Sequence, residues 1–211
     1  MRIVKAGCRS LDQDVIDAAV EVLESGGLVV APTDTLYGLL ADPLDEQAFE
    51  KVYRVKGRDP SKPLPILLGE SHHALLLVVP SPLFWKLAIK FWPGPLTIVE
   101  KRRGDLPGHL ARWGSLGVRL PRCPLVREIA RNVGGLLVGT SANRSGWPPP
   151  VEVGEAVRQL GDKVDLYIDG GRAGLGVPST VVDLSAGRPV VVRPGGVPID
   201  EVEEVIGSLK G

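Results

Sequence analysis

Four basic side chains lie within one ten-residue stretch, RVKGRDPSKP, which runs from Arg54 to Pro63. Lys56 and Arg58 are two positions apart, the spacing that puts side chains on one face of an extended chain. Cations are also common at the end of a helix, but Arg58 and Lys62 lie beyond the predicted helix end. Two prolines stiffen this loop and hold its charges in place. The stretch therefore favours a polyphosphate site over its alternative, a solvated charged turn.

Hydroxyl and amide side chains form two further candidate sites, each directly after a predicted buried strand, where function often lies. GTSANRSG (139–146) brings Thr140, Ser141 and Asn143 close together. PTDTLYGL (32–39) contains the polar residues Thr33, Asp34, Thr35 and Tyr37. Small polar groups can bind phosphate oxygens or a ribose without adding charge. The alternative for both motifs is a turn in which these side chains satisfy backbone groups.

A single cation, Arg119, lies in the apolar segment GVRLP. It alternates with Val118 and Leu120, so we expect its side chain to face away from the core. An arginine in a strand more often lies on a solvated face or in a structural pair than binds a ligand.

The glycine-rich segment GGRAGLG (170–176) comes close to a dinucleotide-binding motif but leads into a predicted strand instead of a helix. We therefore interpret it as a flexible connection. GxxxxGK[ST] and GxGxxG do not occur, and no catalytic triad can be derived from the residues.

Hydrophobic periodicity predicts the elements that position these motifs. Helices are predicted at SLDQDVIDAAVEVLESGG, DEQAFEKVYRVK, SPLFWKLAIKF, PLVREIARNVG, EVGEAVRQLG and PIDEVEEVIGSLKG, and strands at LVVAP, LPILLG, LTIVEK, LGVRLP, LLVGTS, DLYIDG, STVVDL and PVVVRP. Predicted helix caps are Ser10 with Gln13, Asp45, and Asp200 with Glu203. The later strands are too close together for simple βαβ crossovers. The fold class is therefore α/β in the α+β sense, a large twisted mixed sheet with helices packed on it.

Composition limits the function classes. The 211 residues are 44% hydrophobic and carry 25 basic and 25 acidic side chains. We expect one domain over residues 1–211 with one core. A dedicated nucleic-acid binder usually has a basic excess, so a small anion is the better partner. Asn and Gln total five residues and there are 19 prolines, a trend found in proteins from hot environments.

Cys8 and Cys123 are far apart in the sequence. They could pair, but two cysteines in a chain of this size more often indicate a reducing compartment. The histidines supply no spaced ligand set, so no metal site is predicted within the protein. With no apolar signal segment and no run of membrane-spanning length, we expect a cytoplasmic protein without membrane contact.

Seven stretches carry a resemblance to a known family: PTDTLYGL, KGR with KPL, WPGPLTIV, GVRLP, GTSANRSG, PSTVVD and VVRPG. In this order, over residues 27–194, they resemble the YrdC family, the L-threonylcarbamoyladenylate synthases. The resemblance implies a single-domain family member with a twisted, largely antiparallel sheet and an open concave basic cleft. It implies that L-threonine, bicarbonate or CO2, and ATP give threonylcarbamoyl-AMP and pyrophosphate. Partner transferase proteins would then move the threonylcarbamoyl group to tRNA.

The same resemblance implies roles for individual residues. The ATP-binding residues would be Lys56, Arg58, Lys62, Ser115, Ser141, Asn143 and Arg193, with Mg²⁺ accompanying the nucleotide. Lys56 and Arg58 would be the catalytic pair. The threonine-binding residues would be Thr35, Arg119, Thr140 and Ser179, with Arg119 on the substrate carboxylate. A carbamate formed on threonine is itself the nucleophile, so the enzyme needs alignment and charge stabilisation but no covalent residue. Leu67 departs from the family, which often has a polar residue there.

Two other functions stay open. An RNA-binding module would use a concave basic surface, but zero net charge and a basic loop without stacking aromatics make RNA contact secondary. A carbamoyl-transfer domain of the hydrogenase-maturation type would belong to a much longer, cysteine-rich protein, and two isolated cysteines argue against it.

Overall fold

The computed structural model describes residues 1–207, which form one ten-stranded mixed sheet with helices packed against it. The strands are β1 (Arg2–Lys5), β2 (Val29–Pro32), β3 (Tyr37–Ala41), β4 (Ile66–Leu68), β5 (Leu96–Lys101), β6 (Ser115–Arg119), β7 (Leu136–Ser141), β8 (Leu166–Asp169), β9 (Thr180–Asp183) and β10 (Val190–Arg193). The helices are α1 (Gln13–Glu24), α2 (Glu46–Lys56), α3 (Pro82–Phe91), α4 (Gly108–Ala111), α5 (Pro124–Asn132), α6 (Val153–Leu160) and α7 (Ile199–Ile206). Short 3-10 helices occupy Ser71–Leu76 and Gly161–Lys163.

The strands lie in the order β1-β8-β2-β3-β7-β4-β6-β5-β9-β10. Within residues 1–207, five of the nine strand pairs are antiparallel and four are parallel. Consecutive strands are not joined by a regular series of βαβ crossovers, which agrees with the prediction from their close spacing in the sequence. The predicted fold class, a mixed and largely antiparallel sheet with packed helices, is confirmed. That residues 1–211 form a single domain stays a prediction.

Two hydrophobic clusters cover the two faces of the sheet. Neighbouring residues alternate between them: Val30 and Leu39 belong to one cluster, whereas Val29 and Leu40 belong to the other. Side chains of a strand point alternately to opposite faces, so both faces of the central strands are buried. Residues of α1 and α5 pack in the second cluster, and residues of α2, α3 and α6 pack in the first. The expectation of one core was therefore too simple.

Helix ends show which local signals hold. Asp45 caps α2 by accepting hydrogen bonds from the backbone N–H groups of residues 47 and 48, and Gly57 ends it with φ of 58°. Both ends were predicted, since a carboxylate suits the helix start and glycine adopts the left-handed region easily. The predicted cap of α1 was wrong, because Asp12 and not Ser10 accepts from the first turn.

The predicted capping box of the last helix was also wrong. Pro198 precedes α7 without a side-chain cap, which places Asp200 inside the first turn. The end of that predicted segment, residues 208–211, lies outside the described residues.

Two strands were missed in the sequence. β1 is short and mostly exposed, so it lacks the buried apolar run that marks an inner strand. β3 is fully buried but contains Gly38, which weakens a strand pattern, and it follows a turn of only four residues after β2.

A disulfide joins Cys8, which follows β1, to Cys123 at the start of α5. The sulfurs come from positions 115 residues apart, and the backbone N–H of Leu125 also donates to the Cys8 carbonyl. The structure thus decides a pairing that the sequence left open. Among the helices of residues 1–207, none is long and apolar enough to cross a membrane.

Candidate active site

A cleft of about 140 Å³ opens where the ends of several strands meet. All four residues predicted to bind threonine line it: Thr35, Arg119, Thr140 and Ser179. The sheet explains this convergence. β3 pairs with β7, which brings Gly38 opposite Ser141 at the end of that strand. β5 pairs with β9, which brings Leu96 opposite Thr180. Residues far apart in sequence thus share one small space.

Arg119 lies in the wall of this cleft and belongs to neither hydrophobic cluster, so its side chain faces away from the core, as expected. It is nevertheless only 6% exposed, so it does not lie on a solvated face. Its Nε donates to the Gly94 carbonyl at 3.0 Å, and its terminal nitrogens donate to Thr35 Oγ1 at 3.1 Å and Asp34 Oδ1 at 2.6 Å. The pKa of Arg119 is lowered by burial, and the adjacent Asp34 carboxylate opposes part of this shift. The three hydrogen bonds fix the orientation of the guanidinium.

Ser179 is held from two sides. Its hydroxyl lies 2.8 Å from the Thr97 hydroxyl and accepts from Arg193 Nη2 at 3.1 Å. Arg193 also donates twice to the Ser179 carbonyl, at 3.1 and 2.9 Å. Burial, followed by repulsion from Arg119 and Arg58, lowers the pKa of Arg193. The guanidinium groups of Arg58, Arg119 and Arg193 all line the cleft, with several hydroxyl groups beside them. This arrangement is suited to a small anionic or zwitterionic molecule.

Two polar residues of the cleft were not assigned to it from the sequence. Thr33 Oγ1 accepts from the backbone N–H groups of Thr35 and Leu36 and lies 2.9 Å from the Thr35 hydroxyl. Thr97 contacts Ser179 as described above. Each had a signal: Thr33 lies in the PTDT motif, and Thr97 is a polar residue within the apolar run at 96–99.

A second cavity of about 450 Å³ adjoins the cleft. Five residues predicted to bind ATP line it: Lys56, Arg58, Lys62, Ser141 and Asn143. Arg58 and Ser141 line both cavities. The smaller cavity suits a group of amino-acid size, whereas the larger one falls in the size range of ordinary ligand pockets. Molecules bound in the two cavities would therefore meet beside Arg58 and Ser141.

Lys56 differs most from expectation. It forms the last turn of α2, not part of an extended segment, and is only 3% exposed. Its Nζ donates to the Ser141 carbonyl, to the Asn143 carbonyl at 2.7 Å and to Asn143 Oδ1 at 3.4 Å. Burial lowers the pKa of Lys56 to about 7, and the Arg58 charge contributes. Lys56 therefore joins the end of α2 to the loop after β7.

Arg58 and Lys62 follow the helix, as predicted. Arg58 is half-buried, its Nη2 donates to the Pro63 carbonyl at 3.0 Å, and burial lowers its pKa. Lys62 is exposed. Arg54 is also exposed, on the outer side of α2, and lines neither cavity. The cations of this stretch are therefore not equivalent.

Ser115, which was predicted to bind ATP, lines neither cavity. It begins β6 four residues before Arg119, roughly 13 Å away along an extended strand. Leu67 does line the cleft, where a Cβ added at Gly139 would lie 2.2 Å from Leu67 Cγ. Glycine at 139 therefore leaves room for the leucine.

The glycine-rich segment at 170–176 is not a free connection, so that interpretation was wrong. The N–H groups of Gly174, Leu175 and Gly176 donate in turn to the carbonyls of residues 33, 34 and 35. Tyr37 Oη donates to the Gly171 carbonyl at 2.6 Å. The segment forms part of the wall behind the PTDT turn.

A larger cavity of about 550 Å³ is lined by Asp34, Leu175, Arg122 and neighbouring residues. It contains none of the residues predicted to bind ATP or threonine. Its size alone does not make it the active site, because the polar groups converge in the smaller cleft.

Comparison with known proteins agrees with this geometry. The family model Sua5/YciO/YrdC, described as telomere recombination, matches residues 21–195. A relative from Mycobacterium tuberculosis is 40% identical over 194 residues, which cover 91% of this chain and 89% of the relative. The threonylcarbamoyl-AMP synthase of Bos taurus is 38% identical over 193 residues, covering 86% of this chain and 68% of the relative.

Among solved structures, the crystal structure of Pyrococcus abyssi Sua5 complexed with L-threonine matches with a TM-score of 0.92 at 33% identity. The match covers 98% of this chain and 61% of the Pyrococcus chain, so the present chain spans less than two thirds of that protein. The family match covers most of the chain and the relatives exceed 30% identity. The chain therefore belongs to the Sua5/YciO/YrdC family.

Proposed function

We propose that this protein is a threonylcarbamoyl-AMP synthase, a nucleotidyltransferase that acts on ATP, L-threonine and bicarbonate. The observation that carries the proposal is the pair of adjoining cavities that share Arg58 and Ser141. The smaller cavity has the hydroxyl and guanidinium groups that an amino acid requires, and the larger one has the cations that a triphosphate requires. The names of relatives, including the Bos taurus synthase, support the same activity.

The chemistry fits a site without a covalent nucleophile. The neutral threonine amine attacks bicarbonate, a C–N bond forms, and water leaves to give the carbamate. A carbamate oxygen then attacks the α-phosphorus of ATP, and pyrophosphate leaves with the electron pair of the broken P–O bond. Negative charge grows on the departing pyrophosphate, so a nearby cation such as Arg58 stabilises this transition state more than the ground state.

Threonine would bind with its carboxylate on Arg119 and its side-chain hydroxyl near Thr35 or Ser179. Asn143 and Ser141 would hold the nucleotide. Arg193 was predicted to lie beside the nucleotide, yet it lines the smaller cleft with Ser179. We therefore expect it to act where the two substrates meet. Ser115 keeps only the support of the family resemblance.

Mg²⁺ is proposed with ATP. Within residues 1–207, no three His, Cys, Asp or Glu side chains are grouped to hold a metal ion. Mg²⁺ often binds through one or two carboxylates and the phosphates of a nucleotide. Asp59, which lines the larger cavity, is suited to be such a carboxylate. The bound ion would supply charge neutralisation at the phosphates.

Transfer of the threonylcarbamoyl group to tRNA would require partner proteins. We place the reaction in the cytoplasm, where ATP and tRNA are available. The Cys8–Cys123 disulfide is compatible with this, because intracellular proteins from hot environments can be disulfide-rich. RNA contact remains secondary, and neither it nor a hydrogenase-maturation role has a specific observation in its favour.

The test is incubation with ATP, threonine and bicarbonate, with detection of threonylcarbamoyl-AMP by mass and of pyrophosphate by a coupled assay. Omission of each substrate in turn should abolish the product. Arg58→Ala should lower the rate by roughly 10²-fold, whereas Arg54→Ala, the matched exposed cation, should not. Wild-type protein that forms neither product would contradict the proposal.

A further inference from the structure

Asp34 carries a carboxylate that pairs with Arg119 in the wall of the cleft. Its Oδ1 accepts from Arg119 Nη2 at 2.6 Å, and the two side chains are only 11% and 7% exposed. Its Oδ2 is buried and has no hydrogen-bond partner among residues 1–207. Arg119 is therefore the cation with which the Asp34 carboxylate pairs in the described residues.

The backbone of Asp34 is held in place as well. Its carbonyl accepts from the N–H of Leu175 at 3.0 Å. Gly174 lies so close that a Cβ there would be 2.4 Å from the Asp34 carbonyl oxygen. Only glycine allows this approach, so the wall behind the cleft fixes the position of the carboxylate.

This arrangement determines what Arg119 can offer to a substrate. A guanidinium has five N–H donors, and here Gly94, Thr35 and Asp34 each accept one. One N–H remains on each terminal nitrogen, enough for the two oxygens of a carboxylate. Without Asp34, the guanidinium would keep its bonds to Gly94 and Thr35 but lose its third anchor, so the whole rigid fork could shift from its orientation.

Charge gives Asp34 a second effect. Arg58, Arg119 and Arg193 all line the cleft, whereas among residues 1–207 no carboxylate lines it. An amino acid arrives with an ammonium group as well as a carboxylate. Three uncompensated cations would repel that ammonium and favour simple anions instead. Asp34 offsets one of the three charges from behind the wall.

We propose that Asp34 is a positioning residue of the amino-acid site, which orients the Arg119 guanidinium and offsets its charge so that the cleft prefers a zwitterion to an anion. The inference rests on the proposed function for the identity of the amino acid, threonine.

The test compares three variants. Asp34→Asn removes the charge with little change of shape, and Asp34→Glu keeps the charge but moves it by one methylene. Asp165→Asn is the matched control, since it removes a carboxylate that pairs with Lys51 at 3.1 Å outside the cleft. For each variant, KM is measured for threonine and for ATP, together with inhibition by pyrophosphate.

Asp34→Asn should raise the threonine KM by about tenfold or more, leave the ATP KM within about twofold, and tighten pyrophosphate inhibition several-fold. Asp34→Glu should raise the threonine KM without tightening that inhibition. The control should match the wild type. A purely structural role would not make an anion bind more tightly.

An unchanged threonine KM in Asp34→Asn, or equal increases for threonine and ATP, would overturn the inference. If Asp34→Asn does not fold, Asp34→Glu decides in the same way through its threonine KM. If the wild type makes no adenylate, the proposed function fails. In that case, the affinity for threonine is measured by calorimetry for the wild type and for each variant, which tests the role of Asp34 independently. Equal affinities would overturn the inference about Asp34.

Discussion

Replacing Lys56 with methionine keeps most of the side-chain stem but removes a buried ammonium that connects α2 to the loop after β7. The Ser141 carbonyl would keep the Asn143 backbone N–H, and Asn143 Oδ1 would keep the Ser141 hydroxyl, so the Asn143 carbonyl is the group that loses its donor. A buried carbonyl left without a partner costs roughly 1–3 kcal/mol. Removing a buried charge offsets part of this loss, because burial already lowers the pKa of Lys56 to about 7.

The balance is a loss of roughly 1–3 kcal/mol in the free energy of unfolding. For a chain of this length, that corresponds to a fall in Tm of roughly 2–12 °C. Activity should fall by about 10²-fold or more, since Ser141 and Asn143 shape the larger cavity and a charge beside the phosphates is lost.

The matched control is Arg54→Met, which removes an exposed cation from the same helix. It should change the unfolding free energy by less than about 0.5 kcal/mol and leave the rate unchanged. Thermal unfolding followed by circular dichroism gives the first quantity, and adenylate formation at saturating ATP gives the second.

A Lys56→Met variant with wild-type Tm would refute the argument that Lys56 joins the two segments. If Lys56→Met lowers Tm but forms adenylate at the normal rate at temperatures where it is folded, the structural role of Lys56 holds and its catalytic role is refuted.

Three further predictions follow from the same contacts. Burial lowers the pKa of Lys56 to about 7, and a bound triphosphate would raise it, so ATP binding should take up a proton and weaken as pH rises above about 7. Calorimetry in buffers of different ionisation enthalpy measures this proton uptake. Lys56→Met should abolish the dependence of ATP affinity on pH. Valine should be used far less well than serine, because hydroxyls such as those of Thr35 and Ser179 lose a partner when the substrate hydroxyl is absent; equal rates with valine and threonine would contradict their assignment. Reducing the Cys8–Cys123 disulfide, which spans 115 residues, should lower the unfolding free energy by roughly 2–4 kcal/mol; an unchanged Tm in Cys8→Ser would show that the link contributes little.

The sequence alone predicted the elements whose signals are local. Helical periodicity and end signals such as Asp45 and Gly57 gave α2 with both of its ends. Short runs rich in Val, Ile and Leu gave eight of the ten strands within residues 1–207, and their close spacing gave a mixed sheet. The order of the motifs also identified the family, and with it the chemistry that the cleft later supported.

Only the tertiary structure decided which side chains meet. From its spacing, Lys56 was expected to share one face of an extended segment with Arg58, but its Nζ lies among carbonyls more than 80 residues away in the sequence. Arg119 was expected to face away from the core, and it does, but the sequence did not show that it is buried beside the cleft and paired with Asp34. These contacts form because β3, β7 and β6 are assembled in one sheet. Local periodicity specifies which face of a strand is apolar, but it does not specify which strands become neighbours. The burial of a charge, and therefore its role, depends on those neighbours.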